Sequence, residues 1–133
     1  MDMKLDPAGL ARRTEVMGTG FVDQALQDVD AFNLPLQQWV TAHAWGSTWQ
    51  RDGIDLKTRS LLTCAMLAAL GRSQELKGHI RGAINNGASL VEIRETLLHC
   101  AVYAGAPAAV EAFRAAREVL AELGLSLPDE GQP

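Results

Sequence analysis

Groups able to do chemistry are scarce in this chain of 133 residues. The two cysteines, Cys64 and Cys100, form no Cys-x-x-Cys pair, and each sits in an apolar run. That excludes a disulfide framework and suits two buried thiols in a reducing cytoplasm. Lys and Arg number 12 against 16 Asp and Glu, a net charge of -4, so no basic footprint exists for nucleic acid or an anionic membrane. The longest apolar run, LLTCAMLAAL (61–70), is too short to span a bilayer, and MDMKLDPAGLARR lacks the apolar region of a signal peptide. There is no alternating strand pattern, no His-Glu-x-x-His, no facial triad, no Cys/His cluster and no Gly-x-Ser-x-Gly elbow. A metal site and a Ser-His-Asp hydrolase therefore have nothing to stand on.

What the sequence does have is apolar content of 47%, with mean hydropathy -0.01, which marks a globular protein. A length of 133 residues fits one domain able to bury a core, with subunit contacts a frequent addition at this size. The punctuation reads as helix after helix, an all-α bundle of six to seven. Asp6-Pro7 opens the first, which ends near Gly18. Phe21–Phe32 predicts a second. Asn33, with Pro35 behind it, caps a third that runs to Trp45, and GSTWQRDGI is a loop ending in Asp55. Asp55 caps a fourth, 56–70. Ser73 starts a fifth that stops at Asn85-Asn86-Gly87. Ser89 and Glu92 form a capping box for the sixth. Gly105 and Pro107 separate it from a seventh, which ends near Leu123. The expected organisation is a single domain with a helical arm over 1–32, a core over 33–123 and a flexible tail over 124–133.

Two of the three histidines follow a glutamate by one helical turn: Glu75 with His79, and Glu95 with His99, Tyr103 coming one turn later. Residues four apart on a helix meet, and a carboxylate beside an imidazole favours its cationic form. That suits a general acid or an anion-binding group near neutral pH. A solvated Glu–His pair and a satisfied polar strip are the plainer readings of the same spacings. On the sixth helix Ile93, Leu97, Cys100, Ala101 and Ala104 form one apolar stripe, with Leu98 and Val102 on another side. Such a helix lies between layers or at a subunit contact. On the fifth, Leu76, Ile80, Ala83 and Ile84 face inward, and Gly78 and Gly82 imply close helix approach or room for a ligand. The segment HAWGSTWQRDGI gathers His43, Trp45, Trp49 and Arg51, either as apolar plugs on a helix end or as a pocket wall whose arginine grips a carboxylate. Arg59, Arg72 and Arg81 are further anion-binding candidates.

Together HAWG, TRSLLTCAMLAAL, ELKGHIRGAINNG, EIRETLLH and YAGAPAA resemble the carboxymuconolactone decarboxylase family, over about 32–119. The resemblance implies an all-α fold and a homo-oligomer, commonly a hexameric ring built as a trimer of dimers. It also implies a cytoplasmic place in the protocatechuate branch of the β-ketoadipate pathway. The implied reaction converts 4-carboxymuconolactone to 3-oxoadipate enol-lactone. The lactone is its own electron sink, so the implied cofactor requirement is none and the implied metal requirement is none. The expectation is that His79, supported by Glu75, donates the proton or stabilises the oxyanion. Arg51 binds a substrate carboxylate, and His43, Trp45, His99 and Tyr103 line the pocket, with a neighbouring subunit as one source. Alkylhydroperoxidase-like members carry Cys-x-x-Cys-x-x-x-His, and Arg72 and Glu75 stand here at the two cysteine positions. The alternatives are a redox or other-substrate member of that superfamily and a non-catalytic helical oligomer.

Overall fold

The computed structural model describes residues 2–128, and part of the expected tail, 129–133, lies outside them. Among the described residues there are seven α-helices and no strand: α1 (Pro7–Met17), α2 (Thr19–Gln27), α3 (Leu34–Val40), α4 (Leu56–Leu70), α5 (Ser73–Asn85), α6 (Leu90–Tyr103) and α7 (Ala106–Leu123). A π-turn (Thr41–Trp45) continues α3, and a 3₁₀ turn (Thr48–Gln50) follows. The protein falls into two compact units, Met1–Arg59 and Ser60–Pro133, with the boundary inside α4.

In the first unit Asp6 caps α1, its carboxylate accepting from the Gly9 N–H at 2.8 Å, and Pro7 fills the first turn, where no N–H is needed. Gly18, at φ 92, ends α1 and starts α2, a conformation that glycine adopts without a Cβ penalty. α2 stops at Gln27, five residues before the expected Phe32. The reason is a knot of short polar side chains. Asp30 Oδ1 accepts from the Phe32 and Asn33 N–H groups at 2.9 and 3.1 Å, and Asn33 Oδ1 accepts from the Asp30 N–H at 2.8 Å. These side chains offer the backbone an alternative to the helix ladder. Asn33 is thereby occupied with closing that turn, and its amide makes no capping bond to α3.

The first core holds Val16, Met17, Val22, Trp45 and Trp49, with the two indoles stacked at 4.6 Å and 24°. Gln50 donates to the carbonyls of Ala8 (3.1 Å) and Trp45 (2.9 Å), tying the 3₁₀ turn to α1 and the π-turn. α1 crosses the π-turn at Gly9, where a Cβ would stand 2.0 Å from the Thr41 carbonyl oxygen and 3.0 Å from the Gly46 nitrogen.

In the second unit Leu76, Ile80, Leu97, Val119 and Cys64 are fully buried. α5 packs along α7 and α6 along α7. Gly78 and Gly82 are buried in α5, and the buried residues of α7 are Ala109, Ala112, Ala115, Ala116 and Val119. Each mid-helix glycine costs roughly 1 kcal/mol relative to alanine. Two ion pairs one turn apart, Lys77–Glu118 and Arg81–Glu122, fasten α5 to α7 on the solvent side. Ser89 accepts from the Glu92 N–H at 3.0 Å while Glu92 accepts from the Ser89 N–H at 2.9 Å, the expected capping box.

Candidate functional site

α5 places Glu75 in its first turn and His79 one turn later. His79 is half-buried with its Nδ1 shielded from solvent, whereas Glu75 is exposed. Helical spacing puts the two residues on one strip of α5. No hydrogen bond or ion pair joins them among the described residues.

The expected polar strip of α6 faces solvent. His99 and Tyr103 pack ring to ring at 5.1 Å and 45°, with Tyr103 81% exposed, and Glu95 is held by Arg94 Nε at 3.0 Å. Leu98 and Val102, on the same helix, are 52% and 73% exposed. α4 adds Leu62, Met66 and Leu70, four residues apart and also exposed. Three apolar side chains at that spacing form one stripe along the helix, uncovered in the single protomer.

In the first unit the π-turn carries His43 outward, its ring against that of the exposed Trp39 at 5.3 Å. π-turns within helices recur at functional sites. Trp45, at the end of the same turn, is 5% exposed and lies in the core on Trp49. Arg51 follows the 3₁₀ turn, and its exposed guanidinium has no hydrogen bond or ion pair among the described residues. Its carbonyl accepts from Arg59 at 3.2 Å, so Arg59 fixes the loop that carries Arg51. Arg81 is taken up by Glu122.

Arg13 is not evident from its sequence context. It is half-buried, donates to Gln37 Oε1 at 3.0 Å, and burial lowers its pKa. Nothing local separates it from its neighbour Arg12; the difference is the bond to Gln37 on α3. Trp39 escapes the sequence reading too, although Phe32, Leu36, Trp39 and His43 recur at helical spacing, a readable signal.

The thiols are held away from chemistry. Burial, then the neighbouring Cys100, pushes the Cys64 thiol up to about 12, and burial also raises Cys100. Cys100 donates weakly to the carbonyls of Ala65 (3.6 Å) and Thr96 (3.5 Å). Neither supplies a thiolate at neutral pH. Among the described residues no three His, Cys, Asp or Glu side chains gather as a metal site, and no helix is long and apolar enough to cross a membrane.

The sequence profile of the carboxymuconolactone decarboxylase family matches residues 35–118, more than half of the chain. The sequence is 44% identical over 118 residues to the 4-carboxymuconolactone decarboxylase of Acinetobacter baylyi, covering 89% of this chain and 88% of that protein. It is also 44% identical over 110 residues to a nitrosuccinic acid decarboxylase of Metarhizium robertsii, covering 83% and 77%. An uncharacterised 15.0 kDa protein of Paracoccus denitrificans is 36% identical over 89 residues, 65% of this chain and 63% of that one.

Proposed function

The chain belongs to the carboxymuconolactone decarboxylase family, and from that premise we propose that it is a carboxy-lyase converting 4-carboxymuconolactone to 3-oxoadipate enol-lactone. The observation that carries the reading is the 44% identity to the Acinetobacter baylyi enzyme across 89% of the chain. The substrate is an unsaturated five-membered lactone with two carboxylates. When CO2 leaves the ring carbon, the electron pair moves through the C=C bond to the lactone carbonyl, giving a dienolate. A proton delivered to carbon then completes the product. The protein must grip a dianion, stabilise the dienolate oxygen and supply that proton.

His79, with Glu75 one turn away, delivers the proton or stabilises the dienolate oxygen. Arg51 grips a carboxylate through its guanidinium. Arg51→Ala is expected to lower kcat/KM about 10- to 100-fold, mostly through KM, as befits the loss of a charge-assisted hydrogen bond. An unchanged KM would remove Arg51 from this role. His43 on the first unit, and His99 and Tyr103 on the second, are further substrate contacts, and Trp45 acts from the core by holding the turn that carries His43.

The nitrosuccinic acid decarboxylase adds a second substrate to the reading. A 2-nitrosuccinate also carries its leaving carboxylate on a carbon next to an oxygen-terminated acceptor, with a second carboxylate on an adjoining CH2. The nitro group then takes the electron pair as a nitronate. One donor and one carboxylate grip serve both reactions. CO2 release from each compound is the test. Fast release from the lactone with slow or no release from nitrosuccinate assigns the lactone as substrate. The reverse ratio overturns that assignment, and release from neither overturns the carboxy-lyase reading.

The working form is a cytoplasmic homo-oligomer, a hexamer built as a trimer of dimers, acting in the protocatechuate branch of the β-ketoadipate pathway. The uncovered stripes on α4 and α6 support assembly. Met66→Glu is expected to shift sedimentation to smaller species, and an unaltered profile would exclude the α4 stripe from the interface.

A further inference from the structure

Asn86 is followed by Gly87, and this dipeptide is where an asparagine amide is most easily lost. Glycine has no Cβ to hinder its backbone nitrogen from reaching the preceding amide carbon. The surroundings are open, since Gly87 is exposed and a Cβ placed there would meet nothing within 4 Å. Yet both reacting groups are held apart. The Gly87 N–H donates to the Ile84 carbonyl at 3.0 Å, and Gly87 at φ 92 turns the chain so that the Ala88 N–H reaches the Ala83 carbonyl at 2.9 Å. Asn86 stays near helical values, φ -87 and ψ 9, with its own N–H on the Gly82 carbonyl at 3.0 Å. Its Nδ2 donates to Ser60 Oγ at 2.8 Å, and Ser60 is fully buried.

We infer that Asn86 is a latent deamidation site and that its bond to the buried Ser60 hydroxyl slows the reaction. The reaction needs only base and water. Solvent base removes the Gly87 amide proton, and that nitrogen attacks Asn86 Cγ. The new bond from nitrogen to Cγ closes a five-membered imide while the Cγ–Nδ2 bond breaks and ammonia leaves. Water then opens the imide at either carbonyl, leaving an aspartyl or an isoaspartyl linkage. Closing the ring requires the Gly87 N–H to leave Ile84 and the Asn86 amide to swing off Ser60. Ser60 on α4 is an anchor that lies outside the turn, and its bond ties the amide to the packed core. Opening would put a carboxylate against a buried hydroxyl, and the isoaspartyl form would lengthen the backbone at the end of α5, the helix that carries His79.

The test is ageing of the full-length protein at mildly alkaline pH, with peptide mapping by mass spectrometry at intervals. Ser60→Ala is expected to accumulate the deamidated 86–87 peptide severalfold faster than the wild type while Asn33 in the same sample keeps its wild-type rate. Ser60→Cys, similar in size and a weak acceptor, is expected to fall between the two and serves if the alanine variant does not fold. Equal rates at Asn86 in the wild type and the folded variants would overturn the assignment. So would a wild type that deamidates as fast as an unfolded peptide of the same sequence.

Discussion

His79→Gln is expected to lower kcat on 4-carboxymuconolactone by about 10²- to 10⁴-fold, the range of a positioned proton donor. Glutamine keeps the size and polarity of the site but cannot carry a proton to carbon. KM should move little, because the lost interaction belongs to the transition state rather than to substrate binding. The fold should hold, since Leu76, Ile80 and Ala83 supply the buried face of α5. Steady-state kinetics beside a thermal melt checks both. A folded variant with undiminished kcat would remove His79 from the chemistry and leave Glu75 without a function there.

Gly9→Ala is expected to be among the most damaging small substitutions in the protein. The added methyl would stand 2.0 Å from the Thr41 carbonyl oxygen and 3.0 Å from the Gly46 nitrogen. Both are backbone atoms, so neither can swing aside by a rotamer change. α1 must move off the π-turn, and overpacking of this kind costs about 1–3 kcal/mol. The same movement would disturb the bonds from Gln50 to Ala8 and Trp45, and with them the turn that carries His43. Denaturant midpoints for this variant and for Gly20→Ala give the comparison, because a Cβ at Gly20 meets nothing within 4 Å. Equal midpoints would show that the crossing is looser than its geometry requires.

The fold is legible wherever a helix end depends on one residue's chemistry. Asp6-Pro7, Asp55, the Ser89–Glu92 box, Gly87 and Gly124 all stop or start helices where local capping predicts. It is less legible where several side chains compete. The Asp30–Asn33 knot cuts α2 short, and apolar periodicity through Phe32 gives no sign of it. The π-turn at 41–45 reads as ordinary helix because an extra residue in a turn leaves composition unchanged. At the site, the Glu75–His79 spacing is readable but their separation is not, because spacing fixes where Cβ atoms lie and not whether the polar ends bond. Trp45 shows the same limit: two nearby tryptophans announce a cluster, and only packing shows that they stack in the core. Gly9 looks ordinary because its partner, Thr41, is far along the sequence.

The central step of the proposed reaction is a proton placed on carbon by the protein after CO2 departs. The direct measurement is turnover of 4-carboxymuconolactone in D2O after EDTA treatment, with NMR of the enol-lactone. The expected result is rapid CO2 release and one deuterium on a single face of the ring carbon beside the carbonyl. Release with deuterium on both faces would mean that solvent, not His79, protonates the dienolate, and it would contradict the assignment of that step to the protein.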